Sequence, residues 1–440
     1  MDPALLGFLT IGTFLVLVFT VRAPVLVWLV LVPIVAALAG GFGSELGRLS
    51  LEGVKTVTPV AAMIMFAVLY FGLMIDAGLF TPLVRGLGTL IRDDPVRLCV
   101  VSAALPMLVA LDGDGATTFL ISITTLLPVH RRMGMDPRVL PCIVALAAGV
   151  MNMLPWGGPT ARAMAVLQAD VGQIFAPVVP AMLAGVAWVF AAAWLIGRGE
   201  ARRLAGAGGA PAPAPGDLAP PSIGPAPTGP VFWFNAGLTL VLVVLLFQDL
   251  YADAVNLPAL PAPLLFMAAF AIALPVNRRT LQAQQDQLAS HAGSVVLVTS
   301  MVLAAGVFTG VLNGTGMIKA MAGVLAGALP ANLSPWLSQI VAVTGMPLSL
   351  VFTPDAYYFG VLPVFAETAR AAGEDPLAIG RAAVLGQMTT GFPLSPLTAA
   401  TFILTGLSGV SLRDHQRFTF MWAFGTTLVM TAVASVTGAI

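Results

Sequence analysis

The chain has 440 residues, of which 58% are hydrophobic and only 9% are charged, and its formal net charge is zero. Soluble domains carry about 25% charged residues, so this composition excludes a water-soluble fold and predicts an all-α polytopic membrane protein. The balanced charge also excludes the broad basic surface that a nucleic-acid partner requires.

The first part of the chain predicts three membrane-spanning helices and one interfacial helix. Apolar runs cover 4–20, 24–41 and 57–75, and the charged stretch 42–56 between the last two is predicted to be a loop. Residues 81–90 form an amphipathic segment that is too short to span a bilayer, so we expect it to lie at the membrane surface.

Two carboxylates interrupt the next apolar stretch. The run that begins at Leu98 reaches Asp112 after about 14 residues, whereas a spanning helix needs about 20. Asp112 and Asp114 lie among glycines, and a second short apolar run then returns to His130. Two short arms around a polar tip predict a re-entrant hairpin over 98–130. The alternative is two full spans with the tip outside the bilayer.

The segment 138–168 predicts a helix that is broken in the middle. The sequence NMLPWGGP at 152–159 cannot continue an α-helix, because prolines remove backbone donors and glycines add flexibility. Discontinuous helices of this kind build the binding sites of transporters. A further span, 174–196, leads to an Ala/Gly/Pro-rich stretch, 198–230, which is predicted to be a flexible linker because it cannot bury apolar area.

The second half of the chain repeats the first. Its predicted elements are spans at 231–247, 257–276 and 295–312, a hairpin at 333–370, a broken helix at 377–408 and a last span at 418–436. Pro155 recurs as Pro393 about 238 residues later, and the neighbouring motifs keep nearly the same offset, as expected of a duplication. We therefore expect two repeats, 1–197 and 231–440. Each has about five spans, and an odd number inverts the second repeat relative to the first.

The arginines support this inverted topology. If the base of the first hairpin is cytoplasmic, most basic residues fall on the cytoplasmic side, and the exceptions are Arg48, Lys55, Lys319 and Arg370. This distribution follows the positive-inside rule. It predicts a multi-pass protein of the cell (inner) membrane, with a cytoplasmic linker and both termini extracytoplasmic.

The few charges at apparent membrane depth form the candidate site, because each costs about 2.5–3.5 kcal/mol at the centre of a bilayer. Asp112, Asp114 and Asp355 are candidate ligands of a hard divalent cation, which prefers oxygen. Arg162 offers a forked set of donors that matches a carboxylate, and the positive end of the following half-helix also favours an anion. Candidate groups around that anion are Asn152, Gly157, Gly158, Thr160, Thr117, Thr118, Asn313, Ser395 and Thr398. The site therefore suits an anion that travels with a divalent metal.

Proton coupling is assigned to the carboxylates Asp76, Asp112 and Asp114. Simpler interpretations stay open: an exposed loop for the aspartates of the first hairpin, a purely structural ion pair for Arg162, and helix caps for Asp76 and Asp355. The histidines are predicted to be solvated near the membrane interfaces; they are His130, His291 and His415. The sequence has no nucleophile–base or metalloprotease motif, so it predicts a transporter and not an enzyme.

Six segments carry a resemblance to a known family. They are LYFGLMIDAGLF (69–80), LDGDGATT (111–118), GVMNMLPWGGPTARAM (149–164), VLNGTGM (311–317), TPDAYYFGVLP (353–363) and GFPLSPLTAAT (391–401). The chain resembles, nearly end to end, the CitMHS family of citrate–metal:proton symporters of the ion transporter superfamily. The resemblance implies import of citrate complexed with Mg²⁺, Ca²⁺ or a related ion, driven by protons, with the metal as co-substrate and no cofactor. By superfamily analogy it also implies inverted repeats with re-entrant hairpins, a homodimer and elevator-type movement.

Three other functions fit parts of the pattern. A sodium-coupled di- or tricarboxylate symporter would share the fold and would need Na⁺ in place of a divalent metal. A metal/proton exchanger would leave Arg162 with a structural role only. An intramembrane hydrolase is disfavoured, because Leu111 stands where the GxGD motif of intramembrane aspartyl proteases needs its first glycine.

Overall fold

The structure is a computed structural model that describes residues 2–21, 23–82, 86, 94–112, 115–206, 229–248, 260–330 and 332–440, apart from the side chain of Asp112. Within these ranges every regular element is helical. The predicted interfacial segment at 81–90 and the predicted linker at 198–230 fall largely outside the described residues.

Proline and aspartate start several helices of the first half. The described helices are α1 (Pro3–Thr20), α2 (Val25–Ala39), α3 (Leu46–Asp76), α4 (Pro95–Val109), α5 (Gly115–Arg132), α6 (Val139–Met151), α7 (Gly158–Leu167) and α8 (Val179–Gly206). Proline stands in the first turn of α1 and α4, where its missing N–H is not needed. Asp2 and Asp94 accept backbone N–H groups there and cap both helices.

The second half follows the same order of long, short and interrupted helices. Its described helices are α9 (Pro230–Leu246), α10 (Ala262–Asn277), α11 (Leu281–Gly314), α12 (Met317–Ala328), α13 (Leu337–Leu348), α14 (Leu362–Ala371), α15 (Pro376–Gly386), α16 (Ala399–Ser408) and α17 (Leu412–Val436). A π-helical turn, Ala356–Val361, leads directly into α14. Such turns are rare and are frequent at functional sites.

Length and composition make this a multi-pass membrane protein. In the described ranges, five helical stretches are long and apolar enough to cross a membrane: α1, α3, Val171–Gly206, α11 and α17. Shorter apolar helices lie between them, and α6, α15 and α16 of the interrupted helices are among these.

Two polar stretches that lie outside the predicted spans, the predicted loop at 42–56 and the residues between the predicted spans 257–276 and 295–312, are largely helical. Helix α3 begins at Leu46, because Arg48 lies one turn from Glu45 and Glu52 and bonds both carboxylates, at 2.8 and 3.0 Å. Helix α11 begins at Leu281, and the Thr280 hydroxyl caps it by accepting the N–H of the third residue of that helix. These first turns interleave charged and polar residues with the apolar ones, so a search for apolar runs misses them.

The two longest helices, α3 and α11, cross through glycine. A Cβ added at Gly53 would come within 2.0 Å of the Gly306 carbonyl oxygen and 2.7 Å of the Gly310 Cα. Small residues at such a crossing allow two backbones to approach closely in a membrane. Helix α3 also contacts α10, and α11 contacts α2, so each long helix packs against a helix of the other half. These contacts join the halves into one scaffold.

Candidate functional site

The first interrupted helix supplies one wall of the candidate site. Helix α6 ends at Met151, and a non-helical turn precedes the start of α7 at Gly158. Position 157 requires glycine, because a Cβ on Gly157 would come within 2.2 Å of the Asn152 carbonyl oxygen. Thr160 donates its hydroxyl to the Met153 carbonyl at 2.7 Å. This bond satisfies a carbonyl that an interrupted helix leaves without an intrahelical partner.

The second interruption, between α15 and α16, is fastened to the end of α13. The left-handed φ of Met388, 53°, turns the chain after α15. The Ser349 hydroxyl accepts the Met388 N–H at 2.8 Å and lies 3.1 Å from the side-chain oxygen of Gln387. Tyr358, on the π-helical turn, donates to the Gln387 carbonyl at 2.9 Å. The segment between α13 and α14 therefore holds the second interruption in place.

The two interruptions touch each other directly. The Asn152 side-chain amide donates to the Met388 carbonyl at 2.7 Å. One turn earlier, Gly149 faces Thr389, and a Cβ at position 149 would come within 2.9 Å of the Thr389 carbonyl oxygen. Asn152, which is predicted to contact the anion, therefore donates to a backbone carbonyl in the other half of the chain.

The segment that joins α4 to α5 lies between the two interruptions. The Trp156 indole N–H donates to the Leu111 carbonyl at 2.8 Å. On the other side, Gly115 packs against the ring of Phe392, 2.5 Å from where its Cβ would stand, and the Phe119 ring stacks on Phe392 with centroids 5.8 Å apart. The tip between Leu111 and Gly115 is thus anchored at both ends.

The tip carries the predicted metal ligands. The backbone of Asp112 ends a short 3₁₀ turn, but its side chain and the whole of Asp114 lie outside the described residues. The roles of both aspartates in metal binding and proton coupling therefore stay predictions.

Arg162 and Asp355 form the most buried of the described ion pairs. Arg162 Nε donates to Asp355 Oδ1 at 2.8 Å, and Arg162 Nη1 donates to the Gly158 carbonyl at 3.0 Å. The two side chains are only 19% and 11% exposed. Asp355 does not cap the π-helical turn that follows it, because the Thr353 hydroxyl accepts the Ala356 N–H instead. The helix-cap interpretation of Asp355 is therefore wrong.

This pair joins the predicted anion-binding group to a predicted metal ligand. The two side chains share a short, charge-assisted bond. The structure also places them on opposite halves of the chain, since Arg162 lies on α7 and Asp355 precedes α14. The pair therefore brings one cationic and one anionic group together across the two halves.

Asp76, a predicted proton-coupling residue, lies at the end of α3 with partners on α11. Its Oδ2 accepts the Gln287 side-chain amide at 2.6 Å and lies 2.9 Å from His291 Nε2. The His291 ring packs against Gly72, and the Asp76 side chain is 38% exposed. Asp76 therefore belongs to a polar contact between the two scaffold helices.

The remaining predicted residues occupy varied positions. Asn313 is exposed near the end of α11, whereas Thr117 and Thr118 lie in the first turn of α5 and Thr118 is buried. Ser395 accepts the Leu397 N–H at 3.2 Å, and Thr398 donates to the Phe392 carbonyl at 3.2 Å. The last two side chains hold the turn of the second interruption by bonds within that turn.

Two histidines contradict the prediction that they are solvated. His130 is buried with its Nε2 2.9 Å from the Ser102 hydroxyl, and His415 is buried with its Nε2 3.0 Å from the Pro393 carbonyl. Next to His415, Gln416 donates to the Leu394 carbonyl at 2.9 Å. The two α17 side chains thus bind carbonyls that the second interruption exposes, a role that depends on tertiary packing.

The sequence reasoning also missed the polar junction at the second interruption. Gln387 and Thr389 precede the predicted break at Gly391, and they are fully buried. The signal was present as a short polar run, QMTT at 387–390, between an apolar half-helix and a proline-rich turn. Buried polar side chains need hydrogen-bond partners, and the end of a helix leaves backbone groups available to them. The helix in fact ends at Gly386, before the predicted break at Gly391.

Solved structures share this fold. The chain is similar to the YdaH transporter of Alcanivorax borkumensis, with a TM-score of 0.58 and 16% identity over 99% of this chain and 98% of that one. It is also similar to Neisseria gonorrhoeae MtrF, with a TM-score of 0.57 and 13% identity over 99% of this chain and 95% of the other. At these identities the similarity concerns the fold alone.

Sequence comparisons identify the family. A family model described as a citrate transporter, CitMHS, matches residues 8–386. A Bacillus subtilis citrate transporter is 45% identical over 99% of both chains. A Bacillus subtilis Mg(2+)/citrate complex secondary transporter is 41% identical, again over 99% of both chains. The chain therefore belongs to the CitMHS citrate transporter family, whose members are transport proteins and not enzymes.

Proposed function

We propose that this protein is a secondary transporter that imports citrate as a complex with a divalent metal of the Mg or Ca class, together with protons. The observation that carries the proposal is the buried Arg162–Asp355 pair, which lies where the interrupted segments of both halves meet. The relative whose name specifies a Mg(2+)/citrate complex supports the choice of substrate.

An ion pair is a suitable complement for a metal–citrate complex. Citrate is a trianion, and a divalent metal lowers its charge to one negative while adding a cationic face. When the pair opens, the Arg162 fork can bind a free carboxylate of citrate in place of Asp355. The oxygen ligands of the metal would then come from other carboxylates, Asp112 and Asp114.

Proton coupling would come from the remaining carboxylates. Asp112 and Asp114 are candidates because the residues on either side of them, Leu111 and Gly115, contact the two interruptions. Asp76 is a candidate because its partners on α11 include a histidine. With more than one proton for each metal–citrate anion, transport would move net positive charge inward and would respond to membrane potential.

We propose further that the two halves are inverted repeats that move in an elevator-type cycle as a homodimer. Matching backbone features support the duplication: left-handed glycines recur at Gly78 and Gly316, with φ of 75° and 74°, and at Gly134 and Gly373, with φ of 64° and 86°. Packing is reciprocal as well, because α5 contacts α16 while α14 contacts α7. The predicted limits are 1–197, 198–230 and 231–440, with the linker in the cytoplasm and both termini outside.

Equivalent aspartates open α6 and α15. Asp136 accepts the N–H of Arg138 at 2.9 Å, and Asp375 accepts the N–H of Leu377 at 2.9 Å. Each carboxylate also bonds an arginine at 2.6 Å. The Arg138 guanidinium holds the pKa of Asp136, which lies in a connector outside the spans, below its usual value. A duplicated unit predicts this shared bond, in which each aspartate accepts the N–H two residues further along the chain.

Uptake by purified protein in proteoliposomes tests the proposed function. Labelled citrate is offered at a fixed inward proton gradient with Mg²⁺, Ca²⁺, Na⁺ alone, or a chelator. We expect saturable uptake that needs a divalent metal and falls when the proton gradient is collapsed. Uptake with Na⁺ alone would instead identify a sodium-coupled symporter, and metal flux without citrate would identify an exchanger.

A further inference from the structure

The guanidinium of Arg162 already has two hydrogen-bond partners, Asp355 and the Gly158 carbonyl. Its Nε is bonded to Asp355 at 2.8 Å, so a substrate carboxylate must displace Asp355 to gain the full fork of donors. Asp355 therefore competes with the substrate carboxylate for the Arg162 guanidinium. This conclusion concerns the site of the proposed function and rests on it.

The same bond leaves the empty site without net charge at this position. Arg162 and Asp355 are 19% and 11% exposed, so neither charge has enough water around it to replace its partner. Asp355 is the one carboxylate bonded to Arg162 among the described side chains. Without it, the unloaded carrier would have to move a guanidinium that has lost this counterion through the bilayer, which is costly. With substrate bound, the citrate carboxylate takes over the neutralising role.

We propose that Asp355 is the internal counterion of the empty carrier, and that it is required for return of the unloaded site but not for movement of the loaded one. Net uptake needs the empty carrier to return in every cycle, whereas exchange of internal for external citrate uses only loaded states. Loss of Asp355 is therefore expected to stop net uptake while exchange continues.

A comparison of net uptake with exchange tests this proposal. The full chain is reconstituted as wild type, Asp355→Asn and the matched control Glu367→Gln, which removes a carboxylate from an exposed α14 pair with Arg370. Net uptake of labelled citrate with Mg²⁺ is measured under a proton gradient. Exchange is measured in vesicles loaded with unlabelled Mg²⁺–citrate at equal pH on both sides.

We expect Asp355→Asn to lose net uptake by about two orders of magnitude while its exchange rate stays within a few-fold of wild type. The control should match the wild type in both assays. Asp355→Asn that keeps net uptake, or that loses exchange as severely as net uptake while it elutes as folded protein, would overturn the proposal.

A second variant covers the case in which Asp355→Asn does not fold. Asp355→Glu keeps the charge and moves it by one methylene, so its ratio of net uptake to exchange should stay within a few-fold of wild type. A tenfold lower ratio would overturn the proposal. If the wild type itself takes up no citrate in either assay, the proposed function fails; if only the Asp355 results disagree, the proposed function stands.

Discussion

Replacement of Arg162 by lysine tests whether a forked donor, and not merely a positive charge, binds citrate. Arg162 presents Nε to Asp355 and Nη1 to the Gly158 carbonyl, 2.8 and 3.0 Å away. A lysine ammonium keeps the charge but cannot reproduce two parallel bonds to one carboxylate. Hydrogen bonds to charged groups contribute about 1.5–3 kcal/mol each, so one lost bond of about 2 kcal/mol weakens binding about 30-fold.

The assay is the concentration dependence of Mg²⁺-dependent citrate uptake in proteoliposomes. We expect Arg162→Lys to raise the KM about 30-fold. The control Arg370→Lys changes an arginine whose side chain is 65% exposed, and it should leave the KM unchanged. A KM for Arg162→Lys within about threefold of wild type would refute the assignment of the fork to citrate.

Three further predictions concern the metal, the first interruption and the scaffold. Asp112→Asn and Asp114→Asn should each abolish metal-dependent uptake or its dependence on the proton gradient; an unchanged metal titration would count against both residues. Gly157→Ala places a methyl group 2.2 Å from a backbone carbonyl, so transport should be lost, whereas Gly237→Ala, which meets nothing within 4 Å, should transport normally. Gly53→Ala should destabilise the α3–α11 crossing by about 1–3 kcal/mol, seen as a lower unfolding temperature in detergent than for Gly237→Ala.

Local sequence rules predict the first interruption well because its causes are local. The prolines and glycines at 155–159 remove donors and add flexibility within one turn, and helix α6 ends at Met151 as the sequence indicates. The sequence analysis places the start of α3 at residue 57, whereas the helix begins at Leu46. Its charged first turns are stabilised by Arg48 pairing with Glu45 and Glu52, and this leaves no apolar run to detect.

Contacts between the halves could not be predicted from local rules. Arg162 and Asp355 are 193 residues apart, and nothing near either residue specifies the other as its partner. The same is true of Asn152 and the Met388 carbonyl, which are 236 residues apart. The sequence does identify Arg162 and Asp355 as unusual charges at membrane depth, because the cost of each charge is evident locally even though its partner is not.

The most direct test of the account counts metal and citrate entering the same vesicles. Labelled citrate and labelled Ca²⁺ are supplied together to proteoliposomes under an inward proton gradient, and both are measured at each time point. We predict that equal molar amounts of citrate and Ca²⁺ enter, and that uptake of each is abolished when the other is left out. Citrate accumulation that continues at the same rate in the presence of a chelator would contradict it.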